Sequence, residues 1–135
     1  GLLASTIVNV SGSSKVFKKS YITYSNESKI IELGVSKKTI DKFGAVSAEC
    51  AHEMAYGLYQ KSHDDITVSI TGIAGPTGGT TSKPVGLVYF GLCHKGITKT
   101  YHFVFNGDRA KIRHRSVIYA LNLIRGELHE RDNHS

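Results

Sequence analysis

Cysteine is scarce in this chain of 135 residues: Cys50 and Cys93 stand far apart with no C-x-x-C pairing. A disulfide framework and a zinc site are therefore not expected, and both residues read as buried thiols. Long apolar runs are missing as well. No segment reaches the roughly 18 apolar residues of a membrane span, and nothing resembles a secretory signal, so a soluble, cytoplasmic protein is expected. The patterns Asn9-Val-Ser11 and Asn26-Glu-Ser28 match the glycosylation acceptor, but that signal has meaning only in a secreted chain. The seven histidines, His52, His63, His94, His102, His114, His129 and His134, never pair with a carboxylate at metal-ligand spacing.

Basic residues are in excess, with a net charge of +6 and a pI near 9.4. They fall in separate groups, Lys15-Lys18-Lys19, Lys37-Lys38 and Arg109-Lys111-Arg113-Arg115, without interleaved aromatics or a helix-turn-helix signature. An anionic small molecule accounts for that distribution better than nucleic acid does. The length suits a single domain that buries roughly two thirds of its unfolded surface. The chain opens Gly1-Leu-Leu-Ala-Ser5 without Met. A myristoylation signal would look like this after Met removal, but so would a chain cut from a longer protein, which is the preferred reading.

The most informative stretch is a strand pattern, Ile66 to Thr71, that breaks into Gly72-Ile-Ala-Gly75-Pro76-Thr-Gly78-Gly79 and resumes through Lys83-Pro84-Val85-Gly86 to Phe90. Four glycines in eight residues allow positive φ and close approach of a ligand to backbone amides. A solvent-exposed connection between two strands would have the same composition. Two nucleotide motifs are excluded by spacing. Gly79 is followed by Thr80-Thr81-Ser82 before Lys83, which is not a Walker loop, and the segment leads into a strand, which is not a dinucleotide fingerprint.

Around this stretch, Leu2, Leu3, Ile7 and Val8 recur as in a helix, and Tyr21 to Tyr24 reads as a strand. Ser25 or Asn26 caps a helix that Gly34 ends, Ser36 caps a short one closed by Gly44, and Ser47 caps a longer one with Ala48, Ala51, Ala55, Leu58 and Tyr59 on one face. Gly96 marks the turn into a strand from Thr98 to Phe105. Asp108 caps a last helix with Val117, Ala120, Leu121, Ile124 and Leu128 as its stripe and a polar tail from Glu130. The alternation predicts an α/β fold, a three-layer α/β/α sandwich with a mixed sheet.

Two places could carry chemistry. Tyr24 and Lys29 are spaced to enter one cleft, where a partly desolvated lysine beside a phenol could serve as a base; a solvated lysine beside a core tyrosine has the same spacing. Arg109 stands at a helix N-terminus, where a guanidinium and free amides suit a phosphate.

Tyr24-Ser-Asn-Glu-Ser-Lys29, Gly44-Ala-Val-Ser47, Thr71-Gly-Ile-Ala-Gly-Pro76 with Gly78-Gly79, Lys83-Pro-Val-Gly86 and Phe105-Asn-Gly-Asp-Arg109 together resemble the CinA C-terminal domain, the nicotinamide-mononucleotide deamidase family, over nearly the whole chain. The resemblance implies an amidohydrolase of pyridine-nucleotide recycling that converts nicotinamide mononucleotide to nicotinate mononucleotide and ammonia with a serine and a lysine, using no metal and no cofactor. It casts Lys29 as general base and Tyr24 as the accompanying phenol. It casts Thr71, Gly72, Ala74 and Gly75 as substrate wall, and Arg109 as a contact to the nucleotide. The nucleophilic serine of the family lies in an Ala-Glu-Ser-Cys-Thr-Gly-Gly motif whose last glycine matches Gly1, and Ser5, Ser11, Ser13 and Ser14 do not match it. The resemblance thus implies one domain over residues 1–135 lacking the first helix, first strand and nucleophile motif, and a fragment inactive by itself. Expected partners are the mononucleotide and further copies of the chain, with neither nucleic acid nor membrane. The alternative is a non-catalytic pyridine-nucleotide-binding module or a competence/damage-inducible CinA-type domain, without turnover.

Overall fold

A computed structural model describes residues 1–134, with side chains described through residue 129. Helix α1 (Leu2–Val8) is followed by a 3-10 turn at Ser13–Lys15. Then come α2 (Asn26–Leu33), α3 (Lys37–Phe43), α4 (Ala48–Ser62), β1 (Ile66–Gly72), β2 (Leu87–His94), β3 (Ile97–Val104) and α5 (Arg109–His134). The helix starts follow local chemistry. Ser25 and Ser28 form a reciprocal capping box on α2, Ser47 Oγ accepts from the Cys50 amide at the head of α4, and Asp108 Oδ1 accepts from the Lys111 amide at the head of α5. Helix α3 departs from expectation because Ser36 makes no side-chain cap. The Glu53 carboxylate of α4 caps it instead, accepting from the Ser36 amide at 2.8 Å and from the Thr39 hydroxyl.

The sheet has the order β1-β2-β3, with Ile70 opposite Phe90 and Phe90 opposite Tyr101. The expected α/β sandwich is present: α4 covers one face, and α5 packs with α1 on the other. All described strand pairs are antiparallel, so a mixed sheet would need a further strand. The sequence offers Tyr21 to Tyr24 for that place, but this segment is irregular and joins no ladder among the described residues. Its Thr23 carbonyl is instead taken by the Lys29 side chain.

Side chains on β1 alternate between two different chemistries. Val68 and Ile70 enter a core with Val88, Phe90, Phe105, Ile112 and Ala120. On the other face Thr67 donates to the Ala55 carbonyl at 2.7 Å, Ser69 to Ala51 at 2.6 Å and Thr71 to Ala45 at 2.8 Å. Two residues of strand and four of helix both advance about 6 Å, so the Thr67 and Ser69 hydroxyls stay in step with the Ala55 and Ala51 carbonyls, while Thr71 reaches past the start of α4 to Ala45. The close approach requires small residues. A Cβ on Gly91 would lie 2.3 Å from the Ala51 oxygen, and one on Gly57 only 1.8 Å from the Leu33 oxygen, where α2 crosses α4.

Candidate active site

Lys29 lies in α2, buried to 7% exposure, and its amine donates to the Thr23 carbonyl six residues back. An ammonium can donate three hydrogen bonds, and this is the one acceptor within reach among the described residues. Burial pulls the Lys29 pKa below the ordinary lysine value, with the fully buried Cys50 thiol opposing the shift. Burial in turn raises Cys50; Lys29 and Lys83 oppose that shift, while Glu53 adds to it. A lysine in such surroundings is predisposed to give up its proton and act as a base.

Tyr24 is 85% exposed, and its hydroxyl is met not by Lys29 but by Arg109, whose Nη2 lies 3.4 Å away. Arg109 Nη1 also donates to the Gly75 carbonyl at 2.8 Å. Three of the residues singled out from the sequence therefore meet, with Arg109 between the Tyr24 phenol and the glycine loop. Lys29 is linked to them through the chain, because the carbonyl that holds its amine belongs to the residue before Tyr24.

The candidate wall residues have distinct surroundings. Thr71 is buried and its hydroxyl is committed to Ala45, so it holds the strand end against the α3–α4 junction. Gly72 is exposed at the strand end, and Ala74 is partly buried against the core. Gly75 has φ +78°, and a Cβ there would lie 2.5 Å from Val85 Cγ1, so the loop cannot close with a larger residue. Gly72 and Ala74 face Gly1, Leu2 and Arg113 across a cavity of about 230 Å³. The start of α1 thus sits over the candidate wall. A larger cavity, about 400 Å³ between α2 and α4, contains none of these residues. Among the described residues no three His, Cys, Asp or Glu side chains converge as a metal-ligand set.

Two participants escaped the sequence reading. Cys50 was expected only as a buried thiol, and nothing in its spacing reveals that it neighbours Lys29. Lys83 donates to the Phe43 carbonyl, a contact for which its place in Lys83-Pro-Val-Gly86 was the only signal.

The CinA C-terminal domain model matches residues 1–128. The chain belongs to this family. A Kosmotoga olearia relative named CinA-like protein is 56% identical over 128 residues, covering 95% of this chain and 31% of its own length. A Clostridium perfringens relative, named as a competence-damage inducible protein, is 53% identical over 132 residues, covering 98% of this chain and 32% of the relative. The chain thus spans about a third of the length of the curated relatives it matches. Among solved structures, the competence/damage inducible protein CihA from Agrobacterium tumefaciens superposes with a TM-score of 0.91 at 37% identity, covering 93% of this chain and 78% of that one. No helix among the described residues is long and apolar enough to cross a membrane.

Proposed function

We propose that this CinA domain is the catalytic part of an amidohydrolase that converts nicotinamide mononucleotide to nicotinate mononucleotide and ammonia in pyridine-nucleotide recycling. The observation that carries the reading is the buried Lys29 amine, held by a single carbonyl and biased by burial toward its neutral form. The nucleophile is the serine that the family resemblance locates before Gly1, so the activity is that of a protein containing that serine.

Lys29 takes the serine proton as the oxygen attacks the carboxamide carbon. The tetrahedral oxyanion collapses, ammonia leaves with the proton that Lys29 returns, and water hydrolyses the acyl-enzyme by the same route. Arg109, between Tyr24 and Gly75, binds the phosphate away from the scissile amide. A non-catalytic pyridine-nucleotide-binding module would use the same arginine, but it would leave the burial of Lys29 without a role.

The test is ammonia release from nicotinamide mononucleotide by the serine-containing protein, with Arg109→Ala compared on the mononucleotide and its phosphate-free riboside. Turnover is expected in the parent. Arg109→Ala should raise KM so that kcat/KM on the mononucleotide falls about 10 to 150-fold, with the riboside almost indifferent. Binding without ammonia release would leave the binding-module reading. Equal losses on both substrates would refute the phosphate role of Arg109.

A further inference from the structure

Three consecutive carbonyls, those of Phe43, Gly44 and Ala45, close the junction between α3 and α4, and each is taken by a side chain from a different element. Ser47 at the head of α4 donates to Gly44 at 2.8 Å, Thr71 of β1 donates to Ala45, and the Lys83 ammonium of the glycine loop donates to Phe43. Only Lys83 brings charge. It does so at the C-terminal end of α3, where unpaired carbonyls carry the negative end of the helix dipole. Gly44 makes the room, since a Cβ there would lie 2.8 Å from Lys83 Nζ.

The loop that carries Lys83 is closed on itself. The Thr80 amide donates to the Lys83 carbonyl at 2.8 Å, and the Lys83 amide donates to Thr80 Oγ1 at 3.0 Å. Gly75 and Gly79 both pack on Val85, where a Cβ on either would lie within 2.5 to 2.8 Å of that side chain. Backbone bonds at Ile73 and Gly86 fix the base of the loop. Beyond that base, Ala74 and Val85 pack on the core, and two side-chain hydrogen bonds among the described residues fasten the loop to the rest of the molecule: Arg109 on the Gly75 carbonyl, and Lys83 on the Phe43 carbonyl.

We propose that Lys83 is a positioning residue that locks the glycine loop to the end of α3, and so keeps the Gly75 carbonyl in place to orient Arg109 for a phosphate-bearing ligand. The ligand rests on the functional reading above; the lock does not. Lys83 acts through Gly75 and Arg109 rather than by touching the ligand, so its loss should weaken binding of the anion selectively.

The test uses the serine-containing protein, its nucleophilic serine replaced by Ala to stop turnover, with Lys83→Met and Lys83→Arg, read by amide hydrogen exchange over residues 75–83 and by calorimetric binding of nicotinamide mononucleotide and its riboside. Lys83→Met should speed loop exchange and weaken mononucleotide binding by about tenfold each, leaving the riboside within about threefold. Lys83→Arg, which keeps a charged donor at the helix end, should restore most of both. If Lys83→Met does not fold, Lys83→Gln carries the same comparison. Unchanged loop exchange would overturn the lock, and equal weakening of both ligands would overturn its link to Arg109. Failure of the parent to bind the mononucleotide would refute the functional reading, while exchange would still decide the lock.

Discussion

Replacing Lys29 by Met tests the centre of the functional reading, because it preserves the unbranched stem and removes only the amine. Burial dominates the electrostatics of this lysine and disfavours its charged form. Removing it relieves that penalty but leaves the buried Thr23 carbonyl without its partner, at about 1 to 3 kcal/mol. The two effects oppose each other, so stability at pH 7 should change by no more than about 2 kcal/mol. Catalysis has no such compensation. Loss of the base should lower kcat on nicotinamide mononucleotide by about 10² or more while binding changes only a few-fold, and Lys29→Arg should not rescue it because a guanidinium stays protonated.

A pH series on thermal stability gives an independent reading of the same amine. The folded pKa of Lys29 lies below its unfolded value, so between the two the unfolded chain binds more protons and parent stability rises with pH. The rise begins at the depressed folded pKa and is complete once pH passes the ordinary lysine value of 10.5. Lys29→Met lacks this contribution, so the stability of the parent relative to the variant should grow through that window. A constant difference in melting temperature across the window would refute the burial argument. A variant within a few-fold of the parent in kcat would refute the base assignment, leaving Lys29 a structural residue.

Glu127 should make the fold acid-sensitive. Burial acts to raise its carboxyl pKa, but the His94 hydrogen bond at 3.1 Å and Lys99 outweigh it and hold it below the ordinary range. Glu127→Gln should cost about 1 to 2 kcal/mol at neutral pH in chemical denaturation, and the gap should close as pH falls from the ordinary glutamate value of 4.5 through the depressed folded pKa; a gap unchanged across that fall would exclude the ion pair as its source. At the α2–α4 crossing, Gly57→Ala should cost about 3 kcal/mol or more and lower the melting temperature by about 10 °C, since its Cβ would collide with the Leu33 carbonyl. Gly126→Ala, with nothing within 4 Å, should instead stabilise by about 0.5 to 1 kcal/mol; equal effects at the two positions would contradict the close-crossing argument.

Helix starts were legible where the signal was local. Ser25, Ser47 and Asp108 all cap as their positions suggest, because a cap needs only the next three residues. Where the partner comes from another element, local reading fails: Ser36 has the right composition, yet the acceptor at α3 is Glu53 from α4. Tyr21 to Tyr24 has strand composition, but a strand exists only through pairing, and its carbonyl at Thr23 serves a lysine instead. The site divides similarly. The glycine loop, Lys29 and Arg109 each stood out as residue types in position, but the 85-residue separation between Tyr24 and Arg109 hid their contact, and Lys83 reaches 40 residues back to Phe43.

The proposed chemistry makes opposite demands on two cations. A lysine base has to be taken out of water so that it can lose its proton, whereas an arginine that captures a phosphate has to stay charged and within reach of solvent. The fold meets both demands with adjacent residues of one irregular segment. The carbonyl of Thr23 turns inward to the buried Lys29 amine, and the side chain of Tyr24 turns outward to the Arg109 guanidinium. A regular strand would commit that carbonyl to a neighbouring amide and leave the Lys29 amine without its acceptor. In the proposed mechanism, the irregularity at Thr23 and Tyr24 is therefore what lets a lysine biased toward its neutral form and a charged arginine be set from a single turn of chain.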